Sequence, residues 1–118
     1  MRILTILVSI LLAASATGEA YAHAFLDHAS PSVGGSVQSA PHEVTLSFTL
    51  NIEAASSNVQ VTDSGGARVD QGKPQISGST MRIGLKALKP GSYRVRWHVL
   101  SVDGHTSQGS FSFTVGGS

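Results

Sequence analysis

The chain has 118 residues, 41% hydrophobic and only 13% charged, and eight Lys+Arg against seven Asp+Glu leave a formal net charge of +1. That length permits one domain, and so even a balance offers no basic excess to neutralise nucleic-acid phosphates. With no cysteine in the chain, disulfide frameworks, thiolate nucleophiles, zinc fingers and iron–sulfur clusters are excluded, and a metal ion would have to be held by imidazole, carboxylate or backbone groups.

Residues 1–22 read as a cleavable signal peptide. Arg2 supplies a short positive start, Ile3 to Ala14 an apolar run, and Ala20-Tyr21-Ala22 an A-x-A cleavage signature. The run is shorter than the roughly 20 residues that span a bilayer, and no segment of residues 23–118 has the character of a membrane span. Cleavage after Ala22 removes Arg2 and Glu19 together, so the net charge is unchanged, and it leaves a mature domain of residues 23–118 that keeps all five histidines. The new first residue is His23. A free α-amine and a ring nitrogen then sit on one residue, spaced to grip one metal ion as a chelate.

From there the chain reads as strands. Apolar residues take every second position in Val44–Leu50, in Asn58–Thr62, at Met81, Ile83 and Leu85, at Tyr93, Val95, Trp97 and Val99, and at Phe111, Phe113 and Val115. Alternate side chains of a strand face opposite sides, so each run has a core face and a wet face, with Trp97 on the core side as a central anchor. Turn signals fall between the runs: Ser30-Pro31, Gly34-Gly35, Ala40-Pro41, Ser64-Gly65-Gly66, Ser77-Gly78-Ser79, Lys89-Pro90-Gly91 and Asp103-Gly104. No sustained 3.6-residue period appears. About seven short strands at this spacing predict an all-β fold, an antiparallel Greek-key β-sandwich, with a small closed barrel as the alternative.

Candidate chemistry gathers at Asp103-Gly104-His105. In a locally extended chain, positions 103 and 105 face the same side at about 6–7 Å between Cα atoms, so a carboxylate and an imidazole can converge on one ion. With the amine and ring of His23, the donors become three nitrogens and one oxygen. That set suits tetragonal Cu(II), with nickel as the nearest competitor. His28, His42 and His98 are expected to be structural or solvent-exposed, and Glu53 a solvated residue at a strand end; whether Glu53 or His28 contributes to the site stays open. There is no G-x-S-x-G, no H-E-x-x-H and no phosphate loop.

At these residues the chain resembles the CopC family of periplasmic copper-binding proteins. The likeness runs from His23-Ala24-Phe25-Leu26 through Ser30-Pro31, Pro41 and Val44-x-Leu46-x-Phe48. It continues through Leu88-x-x-Gly91-x-Tyr93-x-Val95-x-Trp97 to Ser101-x-Asp103-x-His105-x-x-x-Gly109 and Phe111-x-Phe113. The resemblance implies an immunoglobulin-like sandwich in the periplasm and Cu(II) ligands at His23, Asp103 and His105. It also implies a non-enzymatic role in copper delivery, buffering or resistance beside an inner-membrane transporter of the CopD type. Two departures stand out. No methionine lies between Asn51 and Thr80, so no dedicated Cu(I) site is expected, and Leu50 stands where some members carry an acidic residue. The competing readings are a small copper oxidase or mono-oxygenase using the same histidine brace, and a metal-free adhesion or scaffold module.

Overall fold

The computed structural model describes residues 24–116. The predicted signal peptide and His23 therefore lie outside the described residues. Among the described residues there are eight strands, β1 (Leu26–Ser30), β2 (Ser36–Val37), β3 (Glu43–Phe48), β4 (Asn58–Asp63), β5 (Asp70–Ser77), β6 (Thr80–Leu85), β7 (Gly91–Leu100) and β8 (Thr106–Val115), with one 3-10 turn at Ala54–Ser56. They form two separate four-stranded sheets, ordered β1-β3-β6-β5 and β2-β8-β7-β4. Only β5–β6 and β7–β8 are consecutive paired strands; the other connections carry the chain from one sheet to the other. That is the Greek-key β-sandwich the periodicity predicts, and two open sheets replace the alternative of a closed barrel. All pairings are antiparallel except β2 with β8.

The alternating runs become the core. Val44, Leu46 and Phe48 of β3 with Met81, Ile83 and Leu85 of β6 face Val59 and Val61 of β4, Tyr93, Val95 and Val99 of β7, and Phe111, Phe113 and Val115 of β8. Tyr93 stacks on Phe113 at 5.5 Å between ring centroids, and its hydroxyl donates to the Lys89 carbonyl at 2.5 Å, a tyrosine corner of the kind that ties strand to loop in immunoglobulin-like sandwiches.

Three strands depart from simple alternation, each for a local reason. β1 carries a bulge between Leu26 and His28, which breaks the period of two. β2 is two residues long and is defined by pairing alone. β5 has an irregularity between Gln71 and Gln75, where Gly72 (φ +77°), Lys73 and Pro74 occur. A proline and a lysine suit an edge strand, where they discourage pairing with other chains. Trp97 also differs from the expected central anchor: it is half-buried and packs at the rim, edge-on to Phe48 and tilted against Phe111, each at 6.2 Å. Its ring lies across Gly109, its partner on β8, where a Cβ would come within 2.4 Å of the indole.

At the end of the sandwich away from the Asp103 loop, Asp70 ties β4 to β5. Its carboxylate is buried, accepts the Val61 N–H at 2.8 Å and takes two guanidinium bonds from Arg68 at 2.8 and 2.7 Å. The Arg68 hydrogen bonds hold its carboxyl below the ordinary 3.8, against the opposing pull of burial. A lowered native value means that the stabilisation is full above the unfolded carboxyl's range and is lost as pH falls through the native one. Asp70→Asn should therefore lower the melting temperature at neutral pH, and the gap between variant and parent should narrow on acidification below about pH 4, as read by thermal unfolding across a pH series.

Candidate metal centre

The β7–β8 hairpin turns through Ser101–His105, and Ser101 and Gly104 set its geometry. Ser101 is fully buried. Its N–H donates to the His105 carbonyl at 2.8 Å, and the Gly104 N–H donates back to the Ser101 carbonyl at 2.9 Å. Gly104 makes the turn at φ +91°, in the left-handed region that glycine occupies without penalty. The Ser101 hydroxyl donates to Asp103 Oδ1 and also lies 3.1 Å from the His105 carbonyl oxygen. His105 Nδ1 is 3.5 Å from that same Asp103 oxygen, and the two side chains are 49% and 45% exposed. Carboxylate and imidazole are thus neighbours, brought together by the turn at Gly104 rather than by the locally extended chain the spacing suggests. The Ser101 hydrogen bond, followed by His105, holds the Asp103 carboxyl below its ordinary value, so it is an anionic oxygen donor throughout the neutral range. One imidazole and one ionised carboxylate form a donor pair suited to a divalent transition ion.

Two neighbouring segments frame the loop. The stretch after β3 runs alongside it: Val102 N–H donates to the Asn51 carbonyl at 3.0 Å, Glu53 N–H to the Leu100 carbonyl at 2.8 Å, and Ile52 bridges to Ser101. The first described residues are stitched in as well. Ser107, two positions after His105, donates its hydroxyl to the Ala24 carbonyl at 2.5 Å. Phe25 N–H donates to Thr49 Oγ1 at 2.9 Å, and Thr49 N–H returns to the Phe25 carbonyl at 2.9 Å. Ala24 itself is 1% exposed. The chain thus enters the sandwich beside the Asp103–His105 loop.

The remaining candidates fall elsewhere. His28 is exposed on β1 with Nδ1 3.0 Å from Asp27 Oδ2. His42 precedes β3 and is exposed, and His98 lies on the outer face of β7. Glu53 is exposed ahead of the 3-10 turn. Among the described residues no three His, Cys, Asp or Glu side chains converge, so neither Glu53 nor His28 joins Asp103 and His105. Leu50, the departure noted above, packs partly buried against the core. Sequence pattern alone gives no role to Ser101, Thr49 or Ser107. Ser-x-Asp at 101–103 is a local signal, whereas the other two serve partners 24 and 83 positions away.

A two-sheet Greek-key sandwich with an exposed carboxylate–imidazole pair on one hairpin, beside the entering chain, defines a small β-domain with two candidate metal donors at one end. The chain belongs to the CopC domain family, whose match covers residues 26–116. It is 32% identical over 122 residues to protein YobA of Escherichia coli K12, covering 97% of this chain and 95% of that protein. It is 32% identical over 116 residues to copper resistance protein C of Xanthomonas campestris pv. juglandis, covering 90% and 91%. It is also 33% identical over 100 residues to the copper transport protein CutJ of Bacillus subtilis, covering 81% of this chain but 18% of CutJ. Among solved structures, it is similar to CopC of Methylosinus trichosporium OB3b (TM-score 0.71, 36% identity, 80% and 94% coverage). It is also similar to PcoC, a methionine-rich copper resistance protein of E. coli (TM-score 0.69, 28% identity, 80% and 99% coverage). Among the described residues no helix is long and apolar enough to cross a membrane.

Because the Ser101 hydroxyl is the leading cause of the lowered Asp103 value, Ser101→Ala should move that carboxyl up toward 3.8 in the metal-free protein. Carboxyl carbon shifts followed by NMR through an acid titration would read it.

Proposed function

We propose that the processed chain, beginning at His23 after removal of residues 1–22, is a periplasmic Cu(II)-binding protein that buffers or delivers copper. The ion is held by the His23 amine and ring Nδ1, one ring nitrogen of His105 and the Asp103 carboxylate. The observation that carries this reading is the entry of the chain at Ala24, hydrogen-bonded to Ser107 two residues beyond His105. Adjacent Cα atoms are about 3.8 Å apart, so a residue preceding Ala24 has little distance to cover. The pair Asp103–His105 alone offers too few donors, and an N-terminal histidine supplies two more nitrogens. Three nitrogens and an oxygen favour Cu(II), which also tops the divalent affinity order. The names of copper resistance protein C, CutJ and PcoC are consistent with copper as the cargo.

Met81, the one methionine outside residues 1–22, is fully buried in the core, which supports a site built for the cupric ion rather than for Cu(I). The role is carriage rather than catalysis: an ionised carboxylate beside the imidazole fills a position that oxygen activation needs open. The acceptor or donor of the copper is an inner-membrane transporter of the CopD type.

Protons compete for each nitrogen donor. With an α-amine near 7.7–8.0 and imidazole near 6.5 in unperturbed form, Cu(II) affinity should fall steadily from about pH 7.5 to about pH 5.5. Protein starting at His23 should bind Cu(II) more than about tenfold more tightly than protein carrying one additional N-terminal residue, whose amine has become an amide, and His105→Ala should weaken binding comparably. Competition titrations with a chromophoric chelator test all three, and equal affinity for the two N-termini would remove the amine from the ligand set.

A further inference from the structure

Two side-chain hydroxyls hold the first described residues, and both lie outside the ligand set. Ser107 stands on the inward side of β8, between the loop that ends at His105 and Gly109, which seats Trp97. Its hydroxyl reaches Ala24, 83 positions earlier in the chain, at 2.5 Å. Thr49, just past the end of β3, makes a two-way bond with Phe25, one through its hydroxyl and one through its backbone N–H, both at 2.9 Å. Residues 24 and 25 precede β1 and have no place in its ladder, whose first pair is Leu26 with Phe48. A chain end outside a ladder normally frays. Here one bond comes from the sheet containing β8 and two from the segment leaving β3, so the end is tied to both halves of the sandwich. Burial of Ala24 at the mouth of the core adds packing to the three bonds.

Resting on the reading of His23 as an N-terminal ligand, we infer that Ser107 and Thr49 are positioning residues for copper capture. They hold Ala24 and Phe25 so that the residue before them is delivered to Asp103 and His105 without an ordering cost at the moment of binding. A ligand held in its bound geometry binds more tightly than one that must be ordered first. The device also accounts for why a serine, a residue of low strand preference, occupies an inward position of β8 in line with Phe111 and Phe113: its hydroxyl has a specific acceptor, so it is not a buried polar group left unpaired.

The test is a comparison of Cu(II) affinity in two chains, one beginning at His23 and one with a single additional N-terminal residue, each with and without Ser107→Ala. Loss of one neutral hydrogen bond that orders a ligand should weaken binding by about five- to tenfold in the chain beginning at His23, with a shift in the electron paramagnetic resonance spectrum of the bound ion. The same substitution should cost the extended chain less, because that chain keeps only the His23 ring, not the amine, to aim. Ser107→Thr, which keeps the hydroxyl, should restore the parent affinity. Thr49→Val supplies a second variant should Ser107→Ala fail to fold: it should show the same pattern, and in the metal-free protein it should speed hydrogen exchange at the Phe25 amide. Unchanged affinity in the Ser107 and Thr49 variants overturns the inference, as does an equal loss in both chains, which would mark a general effect on the fold. Equal affinity of the two parent chains, before any substitution, overturns the N-terminal chelate itself, and the positioning role with it.

Discussion

The register of the β7–β8 hairpin is the constraint on which the rest of this molecule depends. Ten consecutive pairs, from Gly91 with Val115 to Leu100 with Thr106, fix which side each residue faces. They set Trp97 across from Gly109, the only residue type whose lack of a Cβ leaves room for the indole. They leave five residues, Ser101 to His105, to close the turn, and they point Ser107 inward at Ala24. Because strand side chains alternate, a slip of one residue would turn all of these to the wrong face at once. The indole of Trp97 takes the space a Cβ at position 109 would need, in the same hairpin, and so favours this register.

The two ends of the sandwich use carboxylates in opposite ways. At one end Asp70 is buried and engaged by Arg68 and the Val61 amide; nothing is left over for a ligand, and its task is to join β4 to β5. At the other, Asp103 is oriented by Ser101 but remains nearly half exposed beside a similarly exposed His105. Both carboxyls are kept ionised by hydrogen bonds that favour the charged form, yet only the second retains a solvent-facing oxygen. An accessible donor pair suits an ion that must be taken up and handed on, in contrast to the closed coordination of a structural metal.

The loop is held in place by its neighbours as well as by its own turn. Ser101 is held inside by its bonds to His105 and by the bridge to Ile52, and the Leu100 amide is capped by the Ser57 hydroxyl at 3.1 Å. The segment between β3 and β4 thus acts as a splint along the hairpin, and the same segment supplies Thr49 to the entering chain. Loop, splint and chain entry are three stretches distant in sequence that meet at one end of the sandwich, so disturbance of any one reaches the Asp103–His105 pair through backbone hydrogen bonds.

Much of this was legible in the residues alone. Strict alternation in β3, β4, β6 and β7 names the core because the pleat is periodic whatever the tertiary context, and Asp103-Gly104-His105 names two donors two residues apart, although a turn rather than an extended chain brings them together. What local pattern did not carry was everything that depends on pairing between distant strands: β2, defined only by β8; β5, disguised by Gly72 and Pro74 at a sheet edge; and the rim position of Trp97, set by a glycine twelve residues on. The sequence by itself determined which residues could serve as donors and which face of each strand is apolar, since both follow from side-chain chemistry and a two-residue period. Only the tertiary structure decided that Ala24 comes to rest on Ser107 and that the side chains of Glu53 and His28 do not join Asp103 and His105, because contacts between residues so far apart in the chain are set by the stacking of two sheets, which no short stretch of sequence encodes.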